Sequence, residues 1–307
     1  MSIIREDITL LNGSTTGKVV RPQEPSGKPL LVFVHGGGAS AFSMDIPGHS
    51  LMEAAAINGF TAVAPNRPGY AGSATLGFPG DSEDGLFAAN AERLYDAIAE
   101  AWTRYGAGAP GVVVYGSSVG GAITLHLASQ WSAKTEPAWP LLGVVTADIA
   151  QLPAQKAVDA WKTTPVTEYA NIAALQPLLD TPPRWTIPAY ALDPSAMPGI
   201  FEPALRAEIM EVNYGWPQAY PAVAGSITVP VLYRLGQFDN LWTVSEELVT
   251  EFATTLRTSS PYVDAAIFGG SSHGLADGPA GYEFFHQVFG FALRAAANVA
   301  IPQLLEA

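Results

Sequence analysis

Cysteine is absent from the 307 residues, which removes disulfide frameworks, thiolate zinc sites and cysteine nucleophiles together. Basic charge is also scarce. Fifteen Lys and Arg stand against 28 Asp and Glu, a formal net charge of −13. Such a surface repels phosphate backbones and anionic headgroups, so neither nucleic acid nor a membrane surface is an expected partner. No Lys/Arg cluster marks a site for an anionic ligand. Long apolar runs are missing too, none reaching the roughly 18 residues that a spanning helix needs. Glu6 and Asp7 stand where a secretion signal would place its apolar stretch, so the sequence predicts a cytoplasmic protein.

What is present is apolar. Hydrophobic residues make up 48% and charged residues only 14%, so a large core is readily built, and the weakly charged surface leaves a homo-oligomer open. Short apolar runs alternate with longer amphipathic ones, the rhythm of βαβ units. Strands are predicted over 8–11, 17–21, 30–34, 61–64, 111–115, 142–147, 229–235 and 262–268. Helices are predicted over 48–58, 85–105, 118–131, 245–257 and 279–298, the last with a start signal in Asp277 and Pro279. The fold class is therefore α/β: a mostly parallel eight-stranded sheet with helices on both faces.

Residues 150–226 break this rhythm, with twelve of the 25 prolines falling between Pro153 and Pro230. So long and apolar a segment is not expected to be a bare loop. It is read as an inserted helical lid, dividing the chain into core 1–149, lid 150–226 and core 227–307. Trp161, Trp185, Tyr190 and Trp216 in it are candidates to line a substrate pocket. An ordinary pair of helices beside the core is the alternative.

A strand-like run enters Gly116-Ser117-Ser118-Val119-Gly120 and a helix-like run leaves it, fitting G-x-S-x-G. A tight strand-to-helix turn requires small residues two positions either side of its central residue. For Ser118 these are Gly116 and Gly120; for Ser117 they would be Tyr115 and Val119. Ser118 is therefore the candidate nucleophile. A serine needs a base, and a base needs an orienting acid. Of the five histidines, His49, His126 and His286 fall on predicted helices and His35 ends the third strand. His273 lies on a loop after the eighth strand and is the candidate base. Asp239, just past the seventh strand, is the candidate acid, with Asp148 at the end of the sixth as its rival and Asp264 a weaker one. Tetrahedral intermediates also need two preorganised N–H donors. Val119 supplies one, and His35-Gly36-Gly37-Gly38 supplies the other, Gly37 first, then Gly38 or Ala39.

These four signals, in the chain order glycine turn, Ser118, Asp239, His273 and each at a strand's C-terminal end, resemble the α/β-hydrolase superfamily from about Leu30 to the last helix, specifically its serine-nucleophile group with a lid after the sixth strand. The run 64–73 (APNRPGYAGS) resembles that group's loop after the fourth strand, where Arg67 and Ser73 are expected to be structural. Departures narrow the field. Ser117 stands where hormone-sensitive-lipase-like esterases carry an acid, and Ser118 replaces the nucleophilic aspartate of haloalkane dehalogenases and epoxide hydrolases. Gly274 and Leu275 follow the histidine where carbon–carbon hydrolases often place tryptophan. The resemblance implies a serine hydrolase acting on a small molecule, with no metal and no organic cofactor required, while the aromatics and prolines of the lid point to a neutral, partly apolar carboxylic ester or lactone. Carbon–carbon or amide hydrolysis and a biosynthetic lyase or cyclase step would use the same residues. A ligand-binding receptor on this fold is the reading of another class.

Overall fold

The computed structural model describes residues 2–24, 26–77, 85–163, 169–170, 202–278 and 280–306. Eight strands form one sheet: β1 (Ile3–Leu10), β2 (Thr15–Pro22), β3 (Leu30–Val34), β4 (Ala62–Pro65), β5 (Val112–Ser117), β6 (Leu141–Ala147), β7 (Val231–Gly236) and β8 (Val263–Phe268). Their order is β1-β2-β4-β3-β5-β6-β7-β8. β1 and β2 pair antiparallel, as do β2 and β4, and every later pairing is parallel. All eight predicted strands are present, with ends within two residues of expectation except the first, which begins five residues earlier, at Ile3.

The central strands are apolar throughout because helices cover both faces. β3 and β6 are buried at every position. Helices α2 (Leu86–Tyr105), α3 (Val119–Ser132) and α7 (Glu246–Leu256) pack on one face, in the cluster that holds Leu94, Ile98, Ile123 and Phe252. Helices α1 (Leu51–Ile57) and α8 (Gly281–Glu306) pack on the other through Met52, Phe284, Phe285 and Val288. The predicted helix over 48–58 begins later than expected. Residues 45–46 and 49–50 pair as a short hairpin, and Ser50 caps α1 by accepting the Glu53 N–H at 2.8 Å. His49 is therefore not helical; its buried ring donates to the Ala276 carbonyl at 2.6 Å.

The described parts of 150–226 are α4 (Gln155–Thr163), α5 (Arg206–Met210), a π turn over Glu211–Gly215 and α6 (Trp216–Ala224), with 169–170 paired antiparallel to 204–205. Two carboxylates tie α5 and the π turn to the core. Glu208 reaches Arg67, and Glu211 accepts the Phe87 N–H at 2.9 Å. The latter matters because α2 starts at Gly85, which has no capping side chain, and the first N–H groups of a helix have no intrahelical partner. No helix among the described residues is long and apolar enough to cross a membrane.

Candidate active site

Parallel pairing brings the C-terminal ends of β3, β5, β6, β7 and β8 side by side, and in open α/β sheets that edge is where ligands bind. Val34 stands beside Gly116, Ser117 beside Ala147, and Gly236 beside Phe268. Each candidate residue lies within a few positions of one of these ends.

Ser118 joins β5 to α3 at φ 56°, ψ −128°, backbone that non-glycine residues rarely adopt and that costs about 1–3 kcal/mol. The steric demand on its neighbours is met as expected. A Cβ at Gly116 would collide with the Gly120 carbonyl and the Thr124 hydroxyl, and one at Gly120 with the carbonyls of Val34 and His35. Of the five described non-glycine residues with positive φ, a second, Asp148, also lies here.

His273 Nε2 is 3.0 Å from Ser118 Oγ, and its Nδ1 is 2.8 Å from Asp239 Oδ2. The Asp239 carboxylate is fully buried and accepts the Leu241 N–H on Oδ1 at 2.8 Å. With an acceptor on that side, the neutral ring carries its proton on Nδ1, which leaves Nε2 as the free acceptor facing the serine. The two loops are sewn together, because Phe238 N–H donates to Ser271 O at 2.9 Å and Gln237 N–H to Phe268 O at 3.0 Å.

Asp148 takes a different part. Its Oδ1 accepts the N–H groups of Gly274 and Leu275 at 3.0 and 3.1 Å, and its Oδ2 accepts the Ser117 hydroxyl at 2.7 Å. It holds the backbone that follows His273 while Asp239 holds the ring. Asp264, inside β8, pairs with Arg234 at 2.9 Å instead. Burial opposes a charged imidazole at His273, but Asp239, with Asp148 and Asp277 beyond it, outweighs that effect and raises the ring to about 9. Burial, then Asp148, pushes the Asp277 carboxyl up to about 8.

Asp148, Asp239 and His273 also bring one potential ligand atom each within 4.8 Å of one another. These atoms are already engaged: the ring nitrogens with Asp239 and Ser118, the Asp148 oxygens with backbone N–H groups and Ser117. Asp239 is bonded to the ring, and Asp148 to Ser117 and the backbone after His273, so the trio's polar atoms face partners within the protein.

The expected oxyanion donors divide. The Gly38 N–H is occupied, donating to Tyr70 Oη at 3.3 Å. Gly37 N–H has no hydrogen-bond partner among the described residues. Val119, the first residue of α3, belongs to the helical turn whose N–H groups lack intrahelical acceptors. The loop runs against the serine, since a Cβ at Gly36 would lie 3.3 Å from Ser118 Cβ. Arg67 and Ser73, expected to be structural, both hydrogen-bond to backbone carbonyls. Arg67 is buried behind this loop, and Ser73 Oγ accepts Thr16 N–H at 3.0 Å and donates to Asn66 O at 3.1 Å.

Trp216, expected to line a pocket, is a core residue. It is fully buried, its Nε1 donates to Ala150 O at 2.8 Å, and its ring packs edge-on to Tyr220. The Trp161 side chain, Trp185 and Tyr190 lie outside the described residues. Sequence reasoning missed Glu208, whose carboxylate is wholly buried beside Arg67. No spacing could have paired residues 141 positions apart.

The whole chain is similar in fold to several solved hydrolases. A carboxyl esterase from Bacillus coagulans, in complex with glycerol, superposes with a TM-score of 0.69 at 14% identity, covering 96% of this chain and 99% of its own. A monoacylglycerol lipase from Paleococcus ferrophilus gives 0.57 at 19% identity, covering 96% and 100%. E-2-(acetamidomethylene)succinate hydrolase gives 0.59 at 20% identity, covering 94% and 99%. At such identities the likeness is one of fold. No curated protein matches the chain in sequence. A family model does, over residues 31–299, from β3 through most of α8, and the chain belongs to the alpha/beta hydrolase family.

Proposed function

We propose that this protein is a serine hydrolase that cleaves a neutral, partly apolar carboxylic ester or lactone through an acyl-enzyme. The observation that carries this reading is the continuous chain from Ser118 Oγ through His273 to Asp239, with links of 3.0 and 2.8 Å, beginning at a residue held in strained elbow backbone.

The chemistry follows from the atoms. Ser118 Oγ attacks the carbonyl carbon as its proton passes to His273 Nε2, and Asp239 stabilises the imidazolium without itself taking the proton. Negative charge gathers on the former carbonyl oxygen, where the N–H groups of Gly37 and Val119 would receive it. Collapse breaks the carbon–oxygen bond, and the leaving alcohol takes the proton from His273. Water then repeats the sequence on the acyl-serine, with His273 as base, and releases the acid. A neutral ester suits the site better than an anionic one, since Arg67, the cation behind the loop, is spent on Glu208 and the chain as a whole carries −13.

A panel of p-nitrophenyl esters of rising acyl length, with several lactones, tests the substrate class. Turnover that is abolished in Ser118→Ala, together with fluorophosphonate labelling that the same change blocks, is the expected result. Folded wild-type protein that neither labels nor turns over any member would point to a binding protein and overturn the reading.

A further inference from the structure

Behind the glycine turn lies a wholly buried network that takes no direct part in the chemistry above. Arg67 Nε donates to His35 O and its Nη2 to Gly36 O, both at 2.9 Å. Its guanidinium also forks onto Glu208 of α5, with Nη1 on Oε1 and Nη2 on Oε2 at 3.2 Å. Both side chains are fully inaccessible. Tyr70 donates to Glu208 Oε2 at 2.6 Å and accepts the Gly38 and Leu205 N–H groups at 3.3 Å each. Arg67 N–H donates to His35 Nε2 at 3.0 Å, so His35 holds its proton on Nδ1 and gives it to Gly36 O at 2.9 Å. Burial, then the nearby Arg67 charge, keeps that ring neutral.

Two donors therefore converge on the Gly36 carbonyl. In a trans peptide the C=O and the following N–H point in opposite directions. Fixing Gly36 O thus fixes the direction of the Gly37 N–H, the donor without a partner. Arg67 can serve in this way only while its own charge is neutralised, because a buried unpaired cation is strongly unfavourable. The neutralising group comes from residue 208, within the segment expected to be the lid. It presses on the same turn: a Cβ at Gly37 would lie 3.5 Å from Glu208 Oε2.

We infer that Glu208 is a positioning residue for the oxyanion hole, holding Arg67 on the loop carbonyls and so aiming the Gly37 N–H. The hole is then complete only with α5 docked, which makes reactivity at Ser118 contingent on the contact between Glu208 and Arg67. This inference rests on the acyl-transfer reading.

The test is Glu208→Gln, which keeps the shape and removes the charge. Per active site counted by burst titration, kcat should fall about 100-fold, the scale of losing one oxyanion donor, with KM for the best ester within about twofold. The Ki of a trifluoromethyl ketone, whose adduct places an oxyanion in the hole, should rise in parallel with the loss in kcat/KM. The pH limb set by His273 should not move. Should this variant fail to fold, Arg67→Met/Glu208→Leu removes both buried charges and, if it folds, should show the same loss, because the carbonyls lose their donor. Wild-type kcat and Ki in either variant would overturn the inference, as would a loss accounted for by fewer active sites. Activity surviving in Ser118→Ala would overturn the acyl-transfer reading itself; a dead Ser118→Ala beside a wild-type Glu208→Gln would overturn only the role of Glu208.

Discussion

The strand-end site and the segment over 202–224 are both built from buried polar groups, yet they are specified over different ranges. At Ser118 the specification is local: glycines two positions away, a strand before, a helix after. On the returning segment it is remote. Glu208 and Glu211 find partners 141 and 124 positions away, on Arg67 and at the start of α2. A nucleophile's strain must be imposed by its immediate backbone, whereas an ion pair can draw its halves from anywhere the fold brings together. On the proposed reading the first region would supply the reacting atoms, while the second ties its own segment to the core.

Separating the two serines is the sharpest test of the local region. Ser118→Ala should lower kcat/KM by roughly 10⁴-fold or more, as removal of a triad member does. Ser117→Ala loses only a hydrogen bond to Asp148 at 2.7 Å and should cost less than about tenfold, ~1.4 kcal/mol. Comparable losses in the two variants would break the assignment of the nucleophile.

The two acids come next. Asp239→Asn should lower kcat by about 10³–10⁴-fold, since the amide no longer holds the imidazole in its working tautomer. It should also move the pH profile. A general base must be neutral to take a proton, so with His273 raised to about 9, kcat/KM climbs through the neutral range to a limb near that value. Removing the carboxylate that raises the ring shifts the limb toward lower pH. Asp148→Asn removes a weaker contributor of the same sign but keeps an acceptor for the Gly274 and Leu275 N–H groups. Its limb should move down by less, with kcat lowered about tenfold. A larger effect from Asp148 than from Asp239 on both readouts would reverse the roles given to the two carboxylates.

Local specification also decided how far the sequence could be read. Strands buried on both faces are continuous apolar runs, so all eight were legible, and the sequence also pointed to Ser118, His273 and Asp239, which the fold brings into one hydrogen-bonded chain. What separated Asp239 from Asp148 was not legible. Both follow a strand by a few residues, and only the fold shows one on the imidazole and the other on the backbone beyond it. The late start of α1 was hidden because residues 45–50 pair with each other, a contact that periodicity does not encode. Gly38 ranked next after Gly37 as a donor, and nothing local showed that Tyr70, 32 positions on, takes its N–H. Glu208 carried no signal of its own, because nothing in its neighbours declares a buried arginine.

Trp216 gives the smallest expected effect and tests the remote region alone. Read from composition, an aromatic in a proline-rich segment belongs to a substrate pocket; in the fold it is fully buried and donates to Ala150 O. Trp216→Phe keeps most of the ring and leaves that carbonyl without its donor, which should cost about 1–3 kcal/mol of stability. The midpoint of denaturant unfolding should fall accordingly, with kcat and KM unchanged for esters of every acyl length. If the ring served substrate instead, the midpoint would hold while KM for the longer acyl chains rose. The two outcomes lie on different axes, so a single variant measured both ways decides whether this part of the segment holds the frame together or touches what the frame encloses.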